Sequence, residues 1–431
     1  MKREGFKGFT LLTIGQIVSL IGSAMTQFGL GIWIWKITGN AAPFSIITFA
    51  FFVPNMIFST IAGALVDRLP RKISLILPDL SAGIVTIITL ILFVSDKLTL
   101  PFLYIASFIS GAFNAFQWPA YSVTISSMLS KEEYGRANGL FSLTSSAPAL
   151  IAPLLAGFLY SVIGLKGIML IDIITFIFAI VMVLLVEIPK LQIEEKHESI
   201  LEDAIFGFKY IFEKRSLLYL LMVFLLTNFF GGFWSTLSTP MILGKFNGSS
   251  VILGIVETIF GIGGILGGII MSIWGGTKKK IKTLLLGIFV IALSQIFIGL
   301  SYSVITISVS GLLMGIANIF ANASSQSIWQ SIVPVNLQGR VFSARLFIAQ
   351  FASLIPMLVS GPLVDNFLVR YFSNKNYLTM IFGVGKGPSI GFLAFLSGVL
   401  SIFVFIWAVK NPQVMNVEDL AQNYETKEVL I

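Results

Sequence analysis

Apolar runs of about 20 residues or more return along this chain from end to end, and they leave it few ways to fold. At about 1.5 Å of rise per residue, such a run covers a hydrocarbon layer about 30 Å thick. Twelve spans are predicted: 10–36, 43–66, 73–94, 100–128, 137–162 and 167–187, then 216–243, 250–275, 281–300, 303–332, 341–369 and 388–409. With 56% of the 431 residues hydrophobic and 11% charged, a water-soluble core would leave large apolar areas bare. Barrel strands are the weaker reading, because they need stretches of about ten residues with alternating polarity. These runs are apolar on most faces, so the expected fold class is an all-α membrane protein.

Several kinds of chemistry are excluded early. There is no cysteine, hence no disulfide, thiol nucleophile or thiolate metal site. The one histidine, His197, falls in a charged linker. No phosphate-binding loop of the Gly-Lys-Ser/Thr kind occurs, and no catalytic or metal-binding cluster emerges, so neither an enzyme nor an ATP-driven pump is expected. Met1 to Thr10 carries Lys2, Arg3 and Lys7 but no small-residue cleavage site, so the first run is read as a true span and not as a removable signal.

The net charge of +8 would suit nucleic acid if the basic residues were clustered, but they sort by loop. With the N-terminus placed in the cytoplasm, all of the 28 Lys and Arg except Lys36, Lys97, Lys166, Lys245, Arg370, Lys375 and Lys386 fall on the inner side. Both termini are therefore expected in the cytoplasm of a cell-membrane protein. The basic excess then serves topology and attraction to anionic lipid.

The longest polar interruption, Glu187 to Arg215, has six spans on either side. The expected division is 1–187 as a first six-helix bundle, 188–215 as a cytoplasmic linker, 216–409 as a second bundle and 410–431 as a cytoplasmic tail. Within the linker, Ile200, Leu201, Ala204, Ile205, Phe208, Ile211 and Phe212 keep helical spacing opposite a charged face. That helix would lie on the membrane surface or dock onto the transmembrane body. A shift of 204 residues aligns Gly63 with Gly267, Gly111 with Gly315, Asn114 with Asn318, Gly135-Arg136 with Gly339-Arg340 and Gly157 with Gly361. A parallel repeat of six spans relates its halves by an axis along the membrane normal.

Between the second and third spans stands Gly63-Ala64-Leu65-Val66-Asp67-Arg68-Leu69-Pro70-Arg71-Lys72. Charge this dense marks a tight turn at the membrane surface. Asp67 is placed to accept bonds from the amides of a neighbouring helix start, while Arg68, Arg71 and Lys72 could pair with Glu132 or Glu133. Contacts of this kind form a latch that favours the outward-facing state; the plainer alternative is a turn that serves topology alone. The second half keeps only Gly267 and Gly268 followed by Lys278-Lys279-Lys280.

This segment resembles the signature between helices 2 and 3 of the major facilitator superfamily, and Glu132-Glu133-Tyr134-Gly135-Arg136 resembles that family's acidic, Gly-Arg start of span 5. The resemblance covers the whole chain and implies twelve transmembrane helices in two pseudo-symmetric six-helix bundles. Gly15-Gln16-Ile17-Val18-Ser19, Pro78-Asp79-Leu80, Ala115 to Ala120 and Ile171-Asp172 look like the macrolide-efflux branch of drug:proton antiporters. Ser110 stands where many proton-coupled exporters carry an arginine, and the glycine-proline motif of span 5 is kept loosely in Ala147-Pro148, Pro153 and Gly157.

The resemblance implies alternating access, with the proton gradient as the energy source and no bound cofactor or metal. Spans 1, 4, 7 and 10 would line a central cavity, which offers Gln27, Asn114, Gln117, Trp118, Asn228, Trp234, Asn318 and Asn322 to substrate. Uncharged amides and rings suit a small hydrophobic or amphipathic ligand; interhelical hydrogen bonding is the other use of such residues. The carboxylates within spans, Glu257, Asp172 and Asp79, are candidates for proton coupling or for structural hydrogen bonds. Glu257 comes first, because it shares a face with Gly261, Gly264 and Gly268 that should pack on a neighbour. The expected gating set is Gly63, Asp67, Arg68, Arg71, Lys72, Glu133, Arg136 and Arg340. The expected partners are substrate, protons and lipids, with no nucleic acid, for a monomeric chain. A lysophospholipid or other lipid transporter of the same fold is the alternative function, and a membrane sensor or channel a remote one.

Overall fold

The computed structural model describes residues 5–130, 133–188, 200–334 and 337–419. The described residues are almost wholly helical. In chain order the elements are α1 (Gly5–Thr38), α2 (Ala42–Arg68), α3 (Arg71–Val94), α4 (Leu100–Asn114), α5 (Gln117–Met128), α6 (Tyr134–Leu185), α7 (Ile200–Glu213) and α8 (Arg215–Lys245). There follow α9 (Ser250–Trp274), α10 (Lys280–Leu300), α11 (Val304–Ile332) and α12 (Gln338–Leu363), which passes through a π turn at Val364–Leu368 into α13 (Val369–Tyr371). The last are α14 (Tyr377–Phe382), α15 (Lys386–Lys410) and α16 (Pro412–Met415).

Among the described residues, 10 helices are long and apolar enough to cross a bilayer. The difference from twelve has two local causes. The fourth span is divided between α4 and α5, because Pro119 has no N–H to give to the Ala115 carbonyl. Phe116 bonds back only three residues, to Phe113 O at 3.1 Å, before Ala120 N resumes the helix on Phe116 O at 3.0 Å. The fifth and sixth spans run together as α6, 52 residues long, whose two legs meet at Gly164 with φ 65° and ψ −174°. Side chains rarely adopt that φ, so glycine belongs there.

The chain divides into two compact units, Met1–Glu195 with Phe246–Thr258, and Lys196–Lys245 with Ile259–Ile431. In the first, α1 runs antiparallel to the second leg of α6: Gly15 lies against Ala179 and Met182, Gly22 against Asp172 and Thr175, and Gly29 against Leu165. Its core gathers Phe9, Leu12, Val66, Tyr121, Ile125 and Val183, all buried. The segment 246–258 joins this unit where Ser250 Oγ donates to Gly157 O at 3.0 Å.

In the second unit the core is built around Trp329, Leu217, Leu220, Ile288 and Ile328. Helix α7 docks on α12: Ile211 is fully buried, Phe208 meets Phe347 edge-on at 6.1 Å, and Gly207 lies against the Arg340 carbonyl. Of the two placements open to the amphipathic segment, the described part takes the docked one. The stretch after α15 folds back onto the same unit. Val414 and Val417 are buried, Ser216 Oγ donates to Gln413 Oε1 at 2.7 Å, and the Glu418 carboxylate accepts from the first amides of α10, Lys280 N at 3.0 Å and Ile281 N at 3.1 Å. A carboxylate at a helix N-terminus is stabilising because those amides have no partner within the helix.

The 204-residue repeat reappears in the packing. A side chain at Gly111 of α4 would collide with the Phe51 carbonyl of α2, and one at Gly315 of α11 with the Phe260 carbonyl of α9. These two glycines were already partners in the sequence alignment. Each lets two backbones approach at the equivalent place in its own unit.

Candidate functional site

Polar side chains of the first unit converge from α1, α3, α4, α5 and α6. Asp79 lies in α3, eight residues beyond Arg71, and Asp172 in the second leg of α6. Gln16 Nε2 donates to Asp79 Oδ1 at 2.9 Å, and Tyr121 OH donates to Gln16 Oε1 at 3.1 Å. Asp172 is held by two hydroxyls, Ser23 Oγ on Oδ1 at 3.0 Å and Thr86 Oγ1 on Oδ2 at 2.9 Å. The second oxygen of Asp79 is buried and has no partner among the described residues. Neither carboxyl caps a helix end.

Both carboxyls line one cavity of about 170 Å³, together with Ser23, Gln27, Thr86 and Asn114. No basic side chain is among its described walls. A second cavity of about 500 Å³ is lined by Gln16, Asn114, Gln117, Trp118, Phe141 and Ser145. Asn114 and Gln117 belong to both. The break between α4 and α5 sets their geometry: Asn114 Nδ2 donates to Gln117 Oε1 at 3.1 Å across it, and Asn55 Nδ2 donates to Asn114 Oδ1 at 3.1 Å from α2. Trp118, 60% exposed, lies with its ring centroid 5.1 Å from that of Phe141. The larger cavity thus offers rings and neutral amides side by side.

The other substrate candidates are in the second unit. Asn228 Nδ2 donates to Ala349 O of α12 at 3.4 Å, so it ties two helices together. Trp234 is half-buried. Asn318 and Asn322 are exposed, and Asn322 Nδ2 donates to Asn318 Oδ1 at 2.7 Å. Glu257 is half-buried in the segment 246–258 and lines neither cavity of the first unit. The packed glycine face predicted for its helix is also elsewhere. Gly263 and Gly267 lie against Leu312 and Ile316 of α11, while a Cβ at Gly264 or Gly268 would have no neighbour within 4 Å.

Of the gating set, the side chains of Gly63, Asp67, Arg68 and Arg71 lie outside the described residues, as does Glu132. The backbone there is the tight turn expected, with only Leu69 and Pro70 between α2 and α3. Lys72 does not meet Glu133. Its Nζ donates to Leu184 O at 3.1 Å, a cation on the last carbonyls of α6. Glu133 instead accepts from Ser130 N at 3.1 Å and Ser130 Oγ at 3.3 Å, which closes its own turn. The repeat-related arginines share one habit, since Arg136 stacks over Phe6 at 4.3 Å and Arg340 over Phe206 at 5.8 Å.

Two cations of the second unit had been counted only as topological charges. Lys245 Nζ donates to Ile298 O at 3.0 Å, Gly299 O at 2.7 Å and Ser301 O at 2.9 Å, so all three of its protons meet the end of α10. Arg345 bonds Ser325 and Gln326 of α11. A signal for it existed: Arg345 falls inside the span drawn at 341–369, where a charge is costly and demands a reason.

The helical spans, the repeat and a polar cavity within a six-helix unit define a membrane transport protein of the twelve-helix kind. The sequence profile of the Major Facilitator Superfamily matches residues 12–357, and the chain belongs to that family. It is similar to Macrolide efflux protein A of Streptococcus pyogenes, with 27% identity over 371 residues, 84% of this chain and 91% of that one. It is also similar to Macrolide efflux protein A of Enterococcus faecalis, with 27% identity covering 68% of this chain and 92% of that one. Among solved structures, an inward-facing, unoccupied bacterial homolog of the human lysosomal transporter Spinster superposes with a TM-score of 0.70 at 13% identity, covering 97% of both chains. The nucleoside transporter NupG gives 0.65 at 14% identity, over 94% of this chain and 100% of that one. At such identities the likeness is one of fold.

Proposed function

We propose that this transporter exports small amphipathic, drug-like compounds of the macrolide kind in exchange for protons, by alternating access, with both termini in the cytoplasm of the cell membrane. The observation that carries the reading is the pair Asp79 and Asp172 on one cavity, each held only by neutral donors. A carboxyl bound to hydroxyls and an amide gains and loses a proton without breaking an ion pair, which a salt-bridged one cannot do. Asp79 and Asp172 therefore take precedence over Glu257 as proton carriers. The cavity of about 500 Å³ beside them has the size of a drug-sized ligand pocket, roughly 300–1,000 Å³. Trp118 and Phe141 offer it stacking surface, and Gln16, Asn114 and Gln117 offer neutral hydrogen bonds. The macrolide efflux relatives, aligned over most of this chain, support the same substrate class.

The test is accumulation of a macrolide and of a lipophilic dye in cells that make the chain, with and without a protonophore. Export that collapses with the proton gradient, and is lost in the Asp79→Asn and Asp172→Asn variants, is the expected result. Export that ignores the protonophore removes the proton from the mechanism. Transfer of lysophospholipid with no drug export moves the cargo to the lipid class.

A further inference from the structure

A full charge among packed helices persists where it is neutralised, where helix carbonyls absorb it, or where it is used. Lys245 belongs to the second case, since its three N–H groups are all taken by the end of α10. Arg345 of α12 does not. Its Nη1 donates to Gln326 Oε1 at 2.9 Å and its Nη2 to Ser325 Oγ at 2.8 Å, both neutral oxygens. The guanidinium also lies 5.0 Å from the Trp329 ring centroid and 5.9 Å from that of Phe224. No carboxylate pairs with it among the described residues. Neutral hydrogen bonds orient a guanidinium but leave its charge in place.

Orientation is the second point. An arginine side chain has five N–H donors, and the two bonds pin one hydrogen on each terminal nitrogen. The fork is thereby fixed near two aromatic rings with donors to spare, and such a fork suits a planar, two-oxygen anion. The third point is the approach. Asn318, Asn322, Ser325 and Trp329 succeed one another at helical spacing on α11, exposed at Asn318 and Asn322 and fully buried at Ser325 and Trp329, so this polar face passes from the surface into the packing that holds the guanidinium. Arg345 itself is only partly buried. It lies seven residues beyond Gln338, about 10 Å along the helix from the end that the loop charges assign to the cytoplasm.

We propose that Arg345 is the centre of an anion-binding subsite in the second unit, which takes the carboxylate or phosphate head of an amphipathic molecule on the partly exposed side of the arginine, away from the buried Trp329. The subsite is distinct from the carboxylate cavity of the first unit and does not depend on the direction of transport. Two sources carry this head group: an anionic lipid resident in the cytoplasmic leaflet, and an acidic amphipath that the protein carries.

The experiment uses the purified full-length protein in phosphatidylcholine nanodiscs, titrated with a dansylated undecanoic acid and, separately, with its neutral methyl ester. Wild type should bind the acid about tenfold tighter than the ester, a difference of about 1.4 kcal/mol. Arg345→Gln should abolish that preference and leave ester binding unchanged, and Arg345→Lys should keep part of it. Equal binding of acid and ester by wild type overturns the proposal whatever the variants do. A folded Arg345→Gln protein that still prefers the acid overturns it as well. Displacement of the acid by added phosphatidylglycerol assigns the seat to a resident lipid, and retention assigns it to a carried ligand. Loss of proton-driven macrolide export in cells would leave this binding preference untouched, so the two readings fail separately.

Discussion

The two units treat charge inside their helices in opposite ways. In the first, the side chains held by buried bonds are acids: Asp79 and Asp172 are 5% and 2% exposed and meet only an amide and hydroxyls. In the second they are bases: Lys245 is 8% exposed and closes the end of α10, and Arg345 is pinned to α11. The difference follows from what a helix can supply. Free carbonyls at a helix C-terminus satisfy an ammonium without any acid, so Lys245 is held in a structural cap. A hydroxyl both donates and accepts, so the hydroxyls on Asp172 can serve that carboxyl in either protonation state, while Asp79 keeps one buried oxygen without a partner among the described residues. The first unit thus holds acids among neutral donors, the second bases against carbonyls and neutral side chains.

Breaking the contrast should hurt most at Lys245. Lys245→Met leaves the carbonyls of Ile298, Gly299 and Ser301 at the end of α10 without this donor and should lower stability by about 1–3 kcal/mol or more. The thermal midpoint of the purified protein measures this, and an unchanged midpoint would refute the cap. Asp79→Asn and Asp172→Asn should do the reverse, holding that midpoint while cutting uphill export by at least about tenfold, or about 1.4 kcal/mol in the barrier. Proteoliposomes with an imposed proton gradient give the rate. Should both variants export at full rate, the acids are structural and the contrast falls.

Gln16→Leu sharpens the comparison at an intermediate scale. It removes the donor to Asp79 Oδ1 and the acceptor of Tyr121 OH, a loss of about 1–2 kcal/mol that should appear both in the midpoint and in the pH profile of export. An unaltered pH profile would separate Gln16 from proton handling. The smallest effect is expected at the tail, where Glu418→Ala uncaps α10 at a cost of about 1 kcal/mol, visible as faster amide exchange at Lys280 and Ile281. Exchange equal to wild type would show that the cap contributes nothing.

Much of the fold was legible because a bilayer enforces it. Every apolar run long enough to span is helical, since backbone groups in hydrocarbon need partners within their own segment. The repeat was legible too: Gly111 and Gly315 had been aligned before their close contacts were known. What the runs hid were local backbone events, the Pro119 break in the fourth span and the Gly164 bend that joins the fifth to the sixth. Hydropathy does not register either one.

The site was legible in residue type and not in arrangement. Asp79 and Asp172 were named, yet Glu257 was placed ahead of them, because its glycine-lined face suggested packing that Gly263 and Gly267 provide instead. Of the charges that could have paired across the latch, with Arg68, Arg71 and Glu132 outside the described side chains, Lys72 and Glu133 each found a nearer partner. For Lys72 that partner is the Leu184 carbonyl, which no pattern of charges could indicate.

The sequence by itself determined that this chain lives in a membrane, that it is built from a doubled six-span unit, and which superfamily it joins, because hydropathy, loop charge and short-range motifs are local quantities. Only the tertiary structure decided which polar groups share a cavity. Gln16 meets Asp79 across 63 positions and Thr86 meets Asp172 across 86, and contacts at such separations depend on how helices are rotated about their axes. That rotation is set by close packing along whole helix faces, a property no single segment carries.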